Sequence, residues 1–133
     1  MQRNVYTEEH EDFRAMIRAF IESEVVPVHD EWFESGITPR DFYYKLGELG
    51  LFGIEIPTEY GGSGIDSYKF QAIITEETSR AAVSFGGSSV HIGLCLPYLK
   101  QLATEEQKQR WFPGMITGEI MFAIAMTEPG TGS

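Results

Sequence analysis

With 133 residues, 42% of them apolar and 13% aromatic, the chain can bury one sizeable core, which excludes a disordered or low-complexity protein. Ten Lys and Arg against 20 Asp and Glu give a formal net charge of −10, which repels phosphate backbones and argues against nucleic acid as a partner. The single Cys95 leaves no disulfide framework and no metal-ligand cluster, so a reducing compartment is expected.

The N-terminal stretch lacks an apolar signal core, and no 18-residue apolar run occurs, so the expectation is a soluble chain without export signal or membrane span. Thr7 is a candidate N-cap with Glu8 and Glu9 in the first turn, and Phe13, Met16, Ile17, Phe20, Ile21 and Val25 follow at helical spacing. Pro27 should kink or end that helix, leaving residues 28 to 35 as a bent helical turn before Gly36. Thr38-Pro39 reads as N-cap and first helical position, with Phe42, Leu46 and Leu49 as the apolar stripe and Gly50 as the stop.

Leu51 to Pro57 reads as an extended apolar connector, and Glu59-Tyr60-Gly61-Gly62-Ser63-Gly64 as a turn-rich surface loop. Asp66 can cap a third helix carrying Tyr68, Phe70, Ile73, Ile74 and Glu77. Gly86-Gly87 introduces Ser88-Ser89 and an apolar helix from about Val90 to Leu102, in which Cys95 reads as a small buried hydrophobe. His91 reads as a helix-start or packing histidine rather than a catalyst. Thr104 and Gln107 match a capping box, so a fifth helix should run to about Ile116, punctuated by Gly118.

A strand pattern follows. Ile120, Phe122, Ile124 and Met126 alternate with Met121, Ala123, Ala125 and Thr127, giving one bulky face and one mostly small face. The small face is a shelf on which a planar ring could lie. The next residues, Thr127-Glu-Pro-Gly-Thr-Gly-Ser133, put glycines, hydroxyls and open amides in one loop, suited to a phosphorylated cofactor. Glu128 beside Pro129 is expected to satisfy local amides rather than to act as a base.

Leu51-Phe-Gly-Ile-Glu-Ile-Pro57-Thr-Glu-Tyr60-Gly61-Gly62, followed some sixty residues later by Ala125-Met-Thr-Glu-Pro-Gly-Thr-Gly132-Ser133, resembles the acyl-CoA dehydrogenase family across essentially the whole chain. Glu24-Val-Val-Pro27 with Trp32, and Ala123-Ile-Ala-Met126, look most like its long-chain branch. The family usually has Ala, Ser, Gly or Asn where this chain has Thr131, and the Asp that follows its serine is absent here.

The resemblance implies a mainly α fold: a five-helix N-terminal bundle over 1–118, then the first strand and flavin-binding loop of a truncated β-domain over 119–133. It implies an FAD-dependent desaturation of acyl-CoA thioesters, with electrons passing to electron-transfer flavoprotein. It also implies a homotetrameric full-length protein in the bacterial cytoplasm or mitochondrial matrix, and a catalytic glutamate outside this chain. The fragment would itself be inactive. Flavin contacts would come from Ile124, Ala125, Met126, Thr127, Gly132 and Ser133, and substrate contacts from Ser133, Leu94, Val90 and Gly87. No metal ligand or catalytic residue is expected.

Gly87, Val90, Leu94 and Pro97 recur at helical spacing, and the resemblance makes that stripe part of an acyl tunnel whose deep end Gly86 and Gly87 leave unfilled. Core packing is the alternative for the stripe. For the chain as a whole, the alternative is a free-standing helical interaction or lipid-binding module.

Overall fold

The computed structural model describes residues 5–130. It is mainly helical, with six helices and no strand among the described residues. Two compact units are present, one from residues 5–39 and 66–86 and the other from residues 40–65 and 87–130. No helix among the described residues is long and apolar enough to cross a membrane.

In the first unit, α1 (Glu8–Phe20) starts where expected: the Thr7 N–H donates to His10 Nδ1 at 3.2 Å, and Glu8, Glu9 and Glu11 sit at the positive end of the helix dipole. The helix widens into a π-turn at Ile21–Val25 and stops before Pro27. Ile17, Ile21 and Val25, spaced by four residues, are fully buried. Residues 28 to 35 are more ordered than a bent turn, because α2 (His29–Ser35) forms there and Gly36, at φ 69°, caps it in the left-handed region.

Helix α4 (Tyr68–Arg80) starts two residues later than Asp66, with Ser67 as its cap, and packs on α1 through Phe70, Ile73 and Ile74. His10 stacks on Phe70 at 4.7 Å. Beside these apolar contacts, Glu77 is 2% exposed and accepts from Arg18 Nε and Nη2 and from Arg80 Nε, each at 2.9 Å, and from Arg14 Nη1 at 3.1 Å. Hydrogen bonds from Arg18 foremost, then Arg80 and Arg14, outweigh burial and hold the Glu77 carboxyl down at about 2.

In the second unit, α3 (Arg40–Glu48) buries Phe42 and Leu46, and the expected extended connector begins instead with a tight turn, Leu51–Gly53. A second tight turn, Thr58–Tyr60, follows. The loop beyond it folds back on the connector: Ser63 N–H reaches Gly53 O, and Ile65 N–H reaches Ile54 O, both at 2.8 Å. Only glycine fits at 62, where a Cβ would lie 2.0 Å from the Ile56 carbonyl oxygen.

Helix α5 (88–102) begins at Ser88–Val90, passes through a π-turn at His91–Cys95 and ends as Leu96–Leu102. The wider turn comes just before Pro97, whose ring would otherwise clash with the preceding turn and which donates no N–H. Helix α6 (Glu105–Ile116) has the expected capping box, with Thr104 N–H donating to Gln107 Oε1 at 2.8 Å. Ile56, Tyr60, Leu96, Phe112 and Met115 form the core, against which Leu99, Ile116, Ile120 and Phe122 pack. The Tyr60 hydroxyl donates to the Glu105 carboxylate, which, with some burial, pushes that phenol up to about 12.

Of residues 120–127, read from sequence as a strand, 121–127 carry no regular structure and Ile120 lies in a bend. A strand needs a neighbour to receive its N–H and C=O groups, and the described residues contain no strand to pair with it.

Candidate functional site

The segment carrying the expected cofactor residues leaves α6 through Gly118, at φ 75°, where a Cβ would lie 2.3 Å from the Tyr43 carbonyl oxygen. A left-handed turn in that space admits glycine alone. Besides a local bond from Glu119 N–H to Thr117 Oγ1 at 3.3 Å, three hydrogen bonds to residues further away then fix the chain. Arg40 Nη2 donates to Glu119 O at 2.5 Å, Ile120 N–H to Gly114 O at 2.9 Å, and Phe122 N–H to His91 Nδ1 at 3.0 Å.

Beyond Phe122 the backbone is open. Among the described residues, no hydrogen bond is made by the backbone of Ala123, Ile124, Ala125 or Met126. These four and Thr127 are exposed, Met126 at 72%, and the bulky face expected to be buried at Ile124 and Met126 is not covered. Gly132 and Ser133, expected to contact cofactor and substrate, and Thr131 lie outside the described residues.

Helix α5 presents two unlike sides. His91, Cys95 and Leu96 are buried, and burial alone pushes the Cys95 thiol up, so it remains a protonated apolar packer. Gly87, Val90, Leu94 and Pro97 are exposed, Val90 and Leu94 at 37% each. Core packing within the described residues therefore does not account for the stripe. The Gly87 N–H donates to the Tyr43 hydroxyl at 3.1 Å, and a Cβ at 87 would meet only that oxygen, at 3.7 Å. Gly86 has a different reason to be glycine: its φ is 58°.

His91 is the residue that sequence reasoning placed in the core without seeing what it holds. It is fully buried, with Phe52 edge-on at 4.9 Å and the Phe122 ring nearly parallel at 6.4 Å. Because an amide N–H points at Nδ1, that nitrogen is the acceptor and the ring proton sits on Nε2. Nε2 makes no well-formed hydrogen bond, although the nearby Met115 carbonyl favours the charged ring. Burial dominates, with Arg40 adding to it, and holds His91 down at about 4. Neither Arg40 nor Tyr43 carried a sequence signal, since each acts through one backbone group distant in the chain. No group of three or more His, Cys, Asp or Glu among the described residues could hold a metal ion.

Residues 7–119 match the family model described as acyl-CoA dehydrogenase, N-terminal domain. The chain belongs to the acyl-CoA dehydrogenase family. It is 40% identical over 131 residues to a long-chain specific mitochondrial acyl-CoA dehydrogenase of Sus scrofa, an alignment covering 98% of this chain and 30% of that protein. An acyl-CoA dehydrogenase crystal structure from Geobacillus kaustophilus superposes with a TM-score of 0.90 at 41% identity, covering 99% of this chain and 34% of that one. A Bacillus anthracis acyl-CoA dehydrogenase complexed with FAD does so with a TM-score of 0.81 at 35% identity, covering 99% and 22%. The chain thus spans between 22% and 34% of the length of these relatives.

Proposed function

We propose that this chain forms the N-terminal helical domain of an FAD-dependent acyl-CoA dehydrogenase that desaturates acyl-CoA thioesters between the α and β carbons. The observation that carries this reading is the open backbone of Ala123 to Met126, held in place immediately upstream by the Phe122 contact to His91. Its donor chemistry suits a flavin: consecutive free amides can meet the polar edge of the ring, the Thr127 hydroxyl adds a donor, and Ala123 and Ala125 leave room for a flat surface. When bound, the flavin supplies the acceptor for the hydride leaving the β carbon.

The residues of this chain bind and orient. Ile124 to Thr127, with Gly132 and Ser133, are assigned to the cofactor; Gly87, Val90 and Leu94, with Ser133, are assigned to the acyl-CoA. The exposed apolar stripe of α5 removes water from around the fatty tail, and its aliphatic side chains impose no polar requirement on it. The carboxylate that takes the α-proton is assigned to the remaining two-thirds of the full-length protein, as are the homotetramer contacts. Electron-transfer flavoprotein is the proposed electron acceptor. The setting is the bacterial cytoplasm or the mitochondrial matrix.

The test is the full-length protein, purified and scanned in the visible range before and after anaerobic addition of a long acyl-CoA. Flavin absorbance that bleaches on addition is the expected result. A colourless protein that takes up no added FAD overturns the proposal.

A further inference from the structure

We propose that His91 is a positioning residue for the flavin wall: by accepting the Phe122 amide, its imidazole fixes the backbone from which Ala123 to Thr127 reach the cofactor. This rests on the flavin assignment of residues 124 to 127. The bond from Phe122 N–H to His91 Nδ1, at 3.0 Å, is the last of those that hold the segment, after the ones at Glu119 and Ile120. Among the described residues, none holds the backbone from 123 to 126. The orientation of the open amides is therefore inherited from the peptide plane at Phe122.

The identity of the side chain at 91 follows from what that amide needs. A leucine there would pack against Phe52 and Phe122 but leave the Phe122 N–H, in a part-buried position, without its protein acceptor. Histidine supplies the acceptor and, through its stacked ring, also holds the Phe122 side chain, which Trp111 meets edge-on at 5.4 Å from the other direction. The residue does this at the expense of a buried Nε2 with no well-formed partner. An apolar helix face needs no such group, whereas an anchored loop does.

The test uses three forms of the full-length protein: the parent, His91→Asn and His91→Leu. Asparagine places its side-chain oxygen about where Nδ1 lies and retains the acceptor; leucine retains apolar bulk and loses it. Two quantities are read, the dissociation constant for FAD and the amide hydrogen-exchange rate of peptides covering residues 119–127 in protein stripped of flavin. Loss of one hydrogen bond of ordinary strength corresponds to about a tenfold change. His91→Leu should therefore weaken FAD binding about tenfold and speed exchange in 119–127, while His91→Asn stays within about threefold of the parent in both.

Equal weakening by both variants would overturn the proposal, because the ring's packing and not its acceptor would then matter. Unchanged exchange in the leucine variant would also overturn it. Loss of the helical fold in both variants would reduce His91 to a core residue and count against the proposal too. If the parent binds no FAD, the flavin assignment fails by itself, and the exchange comparison still decides whether His91 clamps the segment.

Discussion

Gly47 in the last turn of α3 lies against the peptide of Thr117 at the end of α6, so closely that a Cβ at 47 would be 2.5 Å from both the carbonyl carbon and oxygen. Glycine inside a helix ordinarily costs about 0.5–1 kcal/mol relative to alanine. Here the neighbour is backbone, which cannot rotate aside. Gly47→Ala should therefore reverse the usual sign and destabilise by about 1–3 kcal/mol. Chemical denaturation of the full-length protein checks this, and a gain in stability would mean that α3 and α6 do not approach so closely.

The Glu77 cluster predicts an acid-side effect. The carboxyl is held at about 2, below its ordinary 4.5, so it contributes stability above about pH 4.5 and loses it as pH falls towards 2. Glu77→Gln leaves Arg14, Arg18 and Arg80 around a neutral amide and should cost about 3 kcal/mol at neutral pH, the lower end for breaking a buried pair, since Arg18 and Arg80 are partly exposed. The loss should shrink as the pH is lowered from 4.5 to 2, which denaturation midpoints at a series of pH values would show.

His91 acts in a different window. Its folded value of about 4 lies below its ordinary 6.5, so the folded state prefers the neutral ring. The stabilisation is complete above about pH 6.5, declines through the interval and is exhausted near pH 4, amounting to at most about 3 kcal/mol for one fully buried group. Arg40 is the charged residue that opposes protonation alongside burial. His91→Asn should flatten the stability profile between pH 6.5 and 4 relative to the parent protein.

On the open segment, Ala125→Phe should abolish flavin retention while leaving the helices folded, because the residue is exposed and the added ring takes only the space assigned to the cofactor. Thr127→Val should be milder, removing one hydroxyl at constant volume for about 0.5–1.5 kcal/mol of flavin affinity. Visible absorbance of the purified variants reads the first, and a flavin titration the second. A normally yellow Ala125→Phe protein would move the cofactor elsewhere.

For the acyl chain, Gly87→Leu is sterically clean: its φ is −72°, and only the Tyr43 hydroxyl is near. If the tail runs past this residue, long acyl-CoAs should lose kcat/KM sharply while short ones are spared, by about 0.8 kcal/mol for each methylene that no longer finds room. A uniform loss over all lengths would point to folding, and no loss would take residue 87 off the tunnel. Gly86 offers no such test, since its φ of 58° strains any larger residue there.

Sequence alone determined the helices and their ends, because those are set by neighbours within a few positions: the Thr7 and Thr104 caps, the stop before Pro27 and the Ile17, Ile21, Val25 stripe were all legible. It also determined the family, through motifs short enough to read directly. Helix α2 was legible only as a bent helical turn before Gly36, because its seven residues bury no apolar stripe that would mark a separate helix. The strand read at 120–127 is not formed among the described residues for a different reason: alternation states a preference, but a ladder needs a partner outside the segment. Only the tertiary structure decided that His91 holds Phe122, that Arg40 holds Glu119 and that Arg14 and Arg18 join Arg80 on Glu77, since each of these joins groups 31 to 79 residues apart, beyond the reach of any local pattern, except the Arg80 pair, which lies within one helical turn.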